Sequence, residues 1–189
     1  VAEMDRLGVR TCCLFPFAGA QPDEVYGNDE CAAVVQRYPD RFVGFSLVNL
    51  HRGEAGILAE LERNRARGMR GVKLANAFQR YPADGPMVDV VCRFADAHRL
   101  LLLNHDWGSA AQMRRLCETY PRAVFFTGHA AGHYVEVVRD CPNLFICTCP
   151  LLGWGQTEQF VAMYGADRLL FGSDLMDLPI AWGLGPVMY

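Results

Sequence analysis

Seven short apolar runs, each of strand length, recur along the chain at 9–17, 42–49, 71–76, 100–106, 123–129, 144–150 and 169–174. Between them lie segments with helical periodicity and helix punctuation. Segment 54–67 is ended by Gly68, segment 86–98 starts behind Asp84, and segment 109–120 is ended by Pro121. A strand that is apolar on both faces has to be covered on both. A helix between successive strands, at spacings of about 20 to 30 residues, calls for parallel pairing. The pattern therefore predicts an α/β chain whose helices coat a parallel sheet.

Two architectures meet that requirement, an open doubly wound sheet and a (β/α)₈ barrel of the TIM type. The phosphate-binding glycine fingerprint of the first is absent after the first run, where Phe17-Ala18-Gly19-Ala20 is a poor match. A barrel gathers its chemistry at the carboxyl ends of its strands. Three runs here end in or near a polar group, at His105, His129 and Asp174, and Lys73 lies inside a fourth. The barrel is the expected fold. Seven strands are one short of eight, and Pro179, Gly183, Gly185 and Pro186 leave little room for a helix after the last run. The expectation is an incomplete barrel, a single domain over 1–189 covering about strands two to eight, without the first strand and the last helix.

Composition narrows the function. With 51% hydrophobic and 21% charged residues, the 189-residue chain can bury a substantial core. Its 18 Lys and Arg against 21 Asp and Glu give a net charge of −3, spread along the sequence. That is no footprint for nucleic acid or a membrane surface, so the expected partner is a small-molecule substrate. The strongest apolar stretch, 100–103, falls far short of the roughly 18 residues of a membrane span. Of the eight cysteines, Cys12, Cys13, Cys92, Cys147 and Cys149 sit within apolar runs and no signal peptide is evident, which predicts reduced thiols and a cytoplasmic protein. Cys147-x-Cys149 is too tight for a zinc ribbon and suits packing.

Strand side chains alternate faces, so a residue aimed into a barrel shares its face with those two and four positions earlier. On that basis His105 follows Leu103 and Leu101, His129 follows Thr127 and Phe125, and Asp174 follows Gly172 and Leu170, all plausible interior columns. Two imidazoles and a carboxylate at one end of a barrel are a divalent-metal set, suited to zinc, iron or manganese. Taken singly, each has a plainer reading: a histidine at a strand end caps a loop, and Asp174 in Phe-Gly-Ser-Asp caps a helix or turn. Lys73, alone in Gly-Val-Lys-Leu, either snorkels outward or meets an anionic substrate. Arg80, with Tyr81 in the loop that follows, is a candidate clamp for a substrate carboxylate, and His133 a substrate contact.

In this order, Gly-Val-Lys-Leu, Leu-Leu-Leu-Asn-His-Asp, Phe-Phe-Thr-Gly-His-Ala-Ala-Gly and Leu-Leu-Phe-Gly-Ser-Asp resemble the fourth, fifth, sixth and eighth barrel strands of one family. It is the amidohydrolase superfamily, in its branch of aminocarboxymuconate semialdehyde decarboxylase and resorcylate-type decarboxylases. The resemblance implies that His105 is a metal ligand, that Asp174 is a ligand and proton carrier, and that His129 is an acid/base or carbonyl-polarising residue. The ion it implies is zinc first, with manganese or iron as alternatives. The chain departs from the family pattern in having no His-x-His pair anywhere, and Ala75 where many relatives carry a histidine.

The expected activity is hydrolysis of a small carbonyl, lactone or amide substrate by a metal-activated water. The alternatives are non-oxidative decarboxylation on the same scaffold and a non-catalytic barrel remnant used for binding or assembly. Unpaired strand edges near Val9 and Leu169 predict a homo-oligomer. Light scattering on the purified chain checks this, with a stable monomer as the contrary result.

Overall fold

The structure, a computed structural model, describes residues 1–17, 23–151, 153–174 and 179–188. A short helix, α1 (Ala2–Arg6), precedes the first strand, β1 (Cys12–Leu14). Then follow α2 (Glu24–Arg37), β2 (Phe42–Leu47), α3 (Gly53–Ala66), β3 (Gly71–Leu74), α4 (Asn76–Gln79) and α5 (Pro86–His98). The rest of the chain runs β4 (Leu101–Asn104), α6 (Ala110–Thr119), β5 (Val124–Thr127), α7 (Val135–Asp140), β6 (Leu144–Cys147), α8 (Gln156–Tyr164), β7 (Leu169–Leu170) and α9 (Ile180–Met188). All seven strands form one sheet in sequence order, and every neighbouring pair is parallel. Among the described residues no ladder joins β7 back to β1, so the sheet is an incomplete barrel.

The helices start where the sequence supplies a cap. Ser109 accepts a hydrogen bond from the Gln112 amide at the head of α6, Asp23 does the same for Tyr26 in α2, and Pro86 opens α5. One helix was not expected. α9 occupies the segment with Gly183, Gly185 and Pro186, so a helix does follow the last strand. Pro186 lies in its final turn, where the missing N–H costs a single helical bond.

Two populations of side chains hold the sheet. On the outer face Val72, Leu74, Leu102, Phe125, Leu144 and Ile146 are almost completely buried against the helices, in one cluster with Ile57, Leu61, Val88, Val91, Met113 and Leu116. Each such side chain contributes on the order of 2 kcal/mol. The inner face is more open: Leu101, Leu103, Val124 and Phe126 are half-buried. The Phe45 ring on β2 nevertheless lies 6.3 Å from that of Phe126 on β5. A flat sheet would separate strands three places apart by about 14 Å, so the sheet is curled and its inner face is a concave wall. Gly71 is part of this wall, because a Cβ there would lie 2.5 Å from the Phe45 ring.

A polar network locks α2 and α3 to the edge of β2. The Asn28 side chain, fully buried, donates to the Leu47 carbonyl and to Glu60 and accepts from the Leu47 amide, all at 2.8 Å. Glu60 also accepts from Asn64 and Arg63, and Arg63 and Arg67 both pair with Asp29. Arg63 and Arg67 thus form part of a structural clamp between α3 and α2. No helix among the described residues is long and apolar enough to cross a membrane. Asn28→Ala leaves the buried Leu47 amide without its acceptor and removes one donor from Glu60, and is expected to cost about 2–3 kcal/mol. In urea unfolding this lowers the midpoint without changing the slope.

Candidate functional site

The inner columns of the sheet can be followed by register. Leu47, Lys73, Leu103, Phe126 and Phe145 form one layer across β2 to β6. Two residues further along, the same face carries His105 and Cys147, the latter paired with Leu170. Beyond these lie Cys149, Gly172 and Asp174. The polar ends of three strands, β4, β6 and β7, therefore converge at the mouth, one layer above Lys73 of β3.

His129 reaches the mouth by another route. Phe125 and Thr127 were expected to share an interior column with it, and they do not. Both are buried on the outer face, where Phe125 meets the Trp107 ring at 5.3 Å, and the inner column of β5 is Val124, Phe126 and Gly128. The strand ends at Thr127 and the chain bends at Gly128, where a Cβ would lie 2.6 Å from the Asn104 carbonyl oxygen and 2.9 Å from the His105 Cα. Only glycine allows so close an approach of two backbones. The bend sets the His129 ring edge-on to His105, with centroids 4.6 Å apart.

Two further features close the site. Gly172 lies so near β6 that a Cβ would meet the Cys147 sulfur and lie 2.7 Å from the Cys149 Cβ. Asp174 adopts a left-handed backbone, φ 52°, a conformation that Asp tolerates better than most residues. As a result one ligand atom from each of His129, Cys149 and Asp174 lies within 4.8 Å of the other two. The Cys149 sulfur is 3.8 Å from His129 Nδ1. Sequence reasoning placed Cys149 in the core. The signal available was its position two residues past Cys147 at a strand's carboxyl end, which is the same argument that singled out His105.

Lys73 lies inside the curl, not outside. It is 7% exposed, its ammonium is 5.2 Å from the Phe15 ring centre, and it makes no ion pair among the described residues. Burial pulls its pKa down to about 8, and Cys147, Cys149 and Asp174 across the cavity offset only part of that. Burial also lowers the His105 pKa, with the charges of His129 and Lys73 acting in the same direction. His129 is moved the other way by its hydrogen bond to the Cys149 thiol, against its own burial. The two thiols are coupled: Cys147 is lowered by the hydrogen bond from Cys149, and Cys149 is raised in consequence.

The remaining candidates lie at the rim. The exposed His133 places Nε2 3.3 Å from the Gly108 carbonyl, beside a cleft of about 160 Å³ lined by His105, Asp106, Thr127 and His129. Arg80 is exposed, in a left-handed conformation at the end of α4. Two residues before it, the Phe78 ring meets His105 at 5.5 Å. Tyr81 is engaged in the fold, since its hydroxyl accepts from the Ala75 amide at 3.0 Å.

The donor set fits a divalent ion. Imidazole, thiolate and carboxylate are all zinc ligands, and tetrahedral bonds of about 2.0–2.3 Å place ligand atoms about 3.3–3.8 Å apart, so a small side-chain adjustment closes the triangle. His129 and Asp174 are the hard-donor pair of that set, and His105 stands directly behind His129.

A buried ammonium with a depressed pKa is a stability cost. Between pH 8 and the ordinary lysine value of 10.5 the unfolded chain holds a proton at Lys73 that the folded chain does not. Folding therefore becomes more favourable as pH rises through that window. Lys73→Met is expected to stabilise the fold by about 3 kcal/mol at pH 7. The gain should vanish by pH 10.5, read as the difference in urea midpoint between variant and wild type.

Comparison with solved structures places this fold among TIM-type barrels. An uncharacterized TIM-barrel protein from Bordetella bronchiseptica aligns with a TM-score of 0.76 at 17% identity, over 100% of this chain and 73% of the other. The 2,6-dihydroxybenzoate decarboxylase from Rhizobium aligns with a TM-score of 0.66 at 18% identity, over 95% and 77%. A 5-carboxyvanillate decarboxylase from Novosphingobium aromaticivorans, complexed with manganese and a nitrobenzoic acid, aligns with a TM-score of 0.67 at 19% identity, over 90% and 68%. No curated protein sequence matches the chain. The amidohydrolase family model matches residues 20–185, which is nearly the whole sequence. On that match, and with an incomplete parallel barrel that gathers histidines and an aspartate at its carboxyl ends, the chain belongs to the amidohydrolase family.

Proposed function

We propose that the protein is a metal-dependent, non-oxidative decarboxylase of a small aromatic or unsaturated carboxylic acid. The observation that carries this reading is Lys73, a buried cation with no ion-pair partner among the described residues, on the concave wall. A substrate carboxylate compensates such a charge, whereas a neutral lactone or amide does not. The rings of Phe15 beside Lys73 and of Phe78 beside His105 favour a planar substrate. Two of the solved structures named above are decarboxylases of aromatic acids, which supports the same choice. Hydrolysis through a metal-activated water, the other activity expected of the sequence, gains nothing from a buried cation.

His129 and Asp174 would hold the ion, which when bound supplies a positive centre that grips the substrate oxygens and withdraws electron density from the adjacent carbon. Lys73 pairs with the carboxylate and keeps it in the water-poor interior. When the carbon–carbon bond breaks, CO2 leaves and its bonding electron pair stays on the substrate carbon. That carbon needs one proton. Lys73, with a pKa of about 8, is charged at neutral pH yet gives up its proton readily, and regains it from solvent after product leaves. His105, whose pKa is lowered by burial, orients the His129 ring through their edge-on contact. Arg80 and His133, both exposed, would meet the distal polar groups of the substrate.

The test is CO2 release from 2,6-dihydroxybenzoate and 5-carboxyvanillate by protein loaded with zinc or manganese. Wild type is expected to turn over one of these acids, with a rate that falls as pH rises past about 8. Lys73→Met should lose about 100-fold or more in kcat, and Asp174→Asn should lose metal and activity together. Lactone or amide hydrolysis that is indifferent to Lys73→Met, with no CO2 from either acid, would return the reading to hydrolysis.

A further inference from the structure

Three ligand atoms, one each from β5's exit, β6's exit and the loop after β7, meet at one point of the mouth, and one of them is sulfur. We infer that Cys149 is a metal ligand, which with His129 and Asp174 forms a mixed sulfur–nitrogen–oxygen site that selects a thiophilic ion, zinc above manganese. The inference rests on the metal-dependent reading above and adds to it the ligand that sets the identity of the ion.

Packing alone does not account for this cysteine. It is 5% exposed, and its neighbours on the cavity side are polar: His129 Nδ1 at 3.8 Å and the Asp174 carboxylate. A residue chosen to fill space there would be an alanine or valine. The backbone around it is also specialised. Gly172 lets the β7 exit lie against Cys147 and Cys149, and Asp174 takes up a left-handed conformation two residues later. Hard ligands such as carboxylate, carbonyl and water suit manganese, whereas thiolate with imidazole suits zinc. When the ion binds, the S–H bond breaks, a sulfur–metal bond forms and the proton passes to solvent, with no change in oxidation state. The chain has no His-x-His pair, and this thiolate gives the site a third protein ligand, the usual complement for a catalytic zinc.

The experiment uses the whole chain, stripped of metal and titrated with zinc, manganese and cobalt(II) chlorides. Cobalt(II) reports directly on the ligand set, because a thiolate produces an intense sulfur-to-cobalt charge-transfer band in the near ultraviolet that imidazole and carboxylate do not. Expected are binding of one ion per chain, displacement of manganese by zinc, and a charge-transfer band that Cys149→Ser abolishes and Cys147→Ser retains. Cys149→Ser should also weaken zinc about 100-fold or more and leave manganese little changed. Thermal melting of the metal-free variants establishes that they fold. If wild type binds one ion at a site sensitive to Asp174→Asn but shows no thiolate band, the role of Cys149 is overturned while the metal-dependent reading stands. If a folded wild type binds none of the three metals, both are overturned.

Discussion

The structure depends on one geometrical constraint: parallel strands in sequence order, with a helix between nearly every pair. Right-handed crossovers place all those helices on the same side of the sheet. Their apolar faces cover the outer strand residues so completely that Val72, Leu102, Phe125 and Ile146 have at most 1% of their surface exposed. With the helices on the convex side and strand twist accumulating in one sense, the sheet curls. The curl brings β2 within aromatic contact of β5. It also turns the carboxyl ends of β3 to β7 toward a common centre, and without it Lys73, His105, Cys149 and Asp174 would lie along a line.

What the curl gathers, close backbone contacts adjust. Two glycines do most of this work, Gly128 by letting β5's exit press against His105 and Gly172 by letting β7's exit press against the β6 thiols. The polar groups so assembled are electrostatically costly. An ammonium without an ion-pair partner among the described residues, a hydrogen-bonded pair of thiols and two imidazoles in contact each have a shifted pKa. Stability would be better served by apolar side chains at these positions. Perturbed groups crowded into one cavity are characteristic of sites built for chemistry, and elsewhere the fold compensates with a dense outer core and the Asn28–Glu60 network.

Much of this was legible in the chain. The seven runs correspond to the seven strands, although each ladder is shorter than its run: 123–129 becomes Val124–Thr127, and 169–174 becomes Leu169–Leu170. His105, His129 and Asp174 are among the residues lost from the ladders, past the point where each strand leaves its neighbours, whereas Lys73 stays within β3. His105 and Asp174 were found by two-residue alternation, which is a local property of any strand. His129 was found with the wrong column, since the bend at Gly128 shifts its side chain out of alternation. Periodicity cannot register such a bend. The α9 helix was missed because its glycines and proline argue locally against a helix, whereas burial of Ile180 and close packing of Gly183 against Phe171–Ser173 favour one.

The amino-acid sequence by itself determined the α/β class, the number and parallel sense of the strands, and the presence of histidines and an aspartate at strand ends, because these follow from alternation and helical period along the chain. Only the tertiary structure decided that Lys73 points into the cavity and that Cys149 belongs with His129 and Asp174. Both depend on distances between strands far apart in sequence. Curl and close backbone approach fix those distances, and neither leaves a periodic trace in the order of the residues.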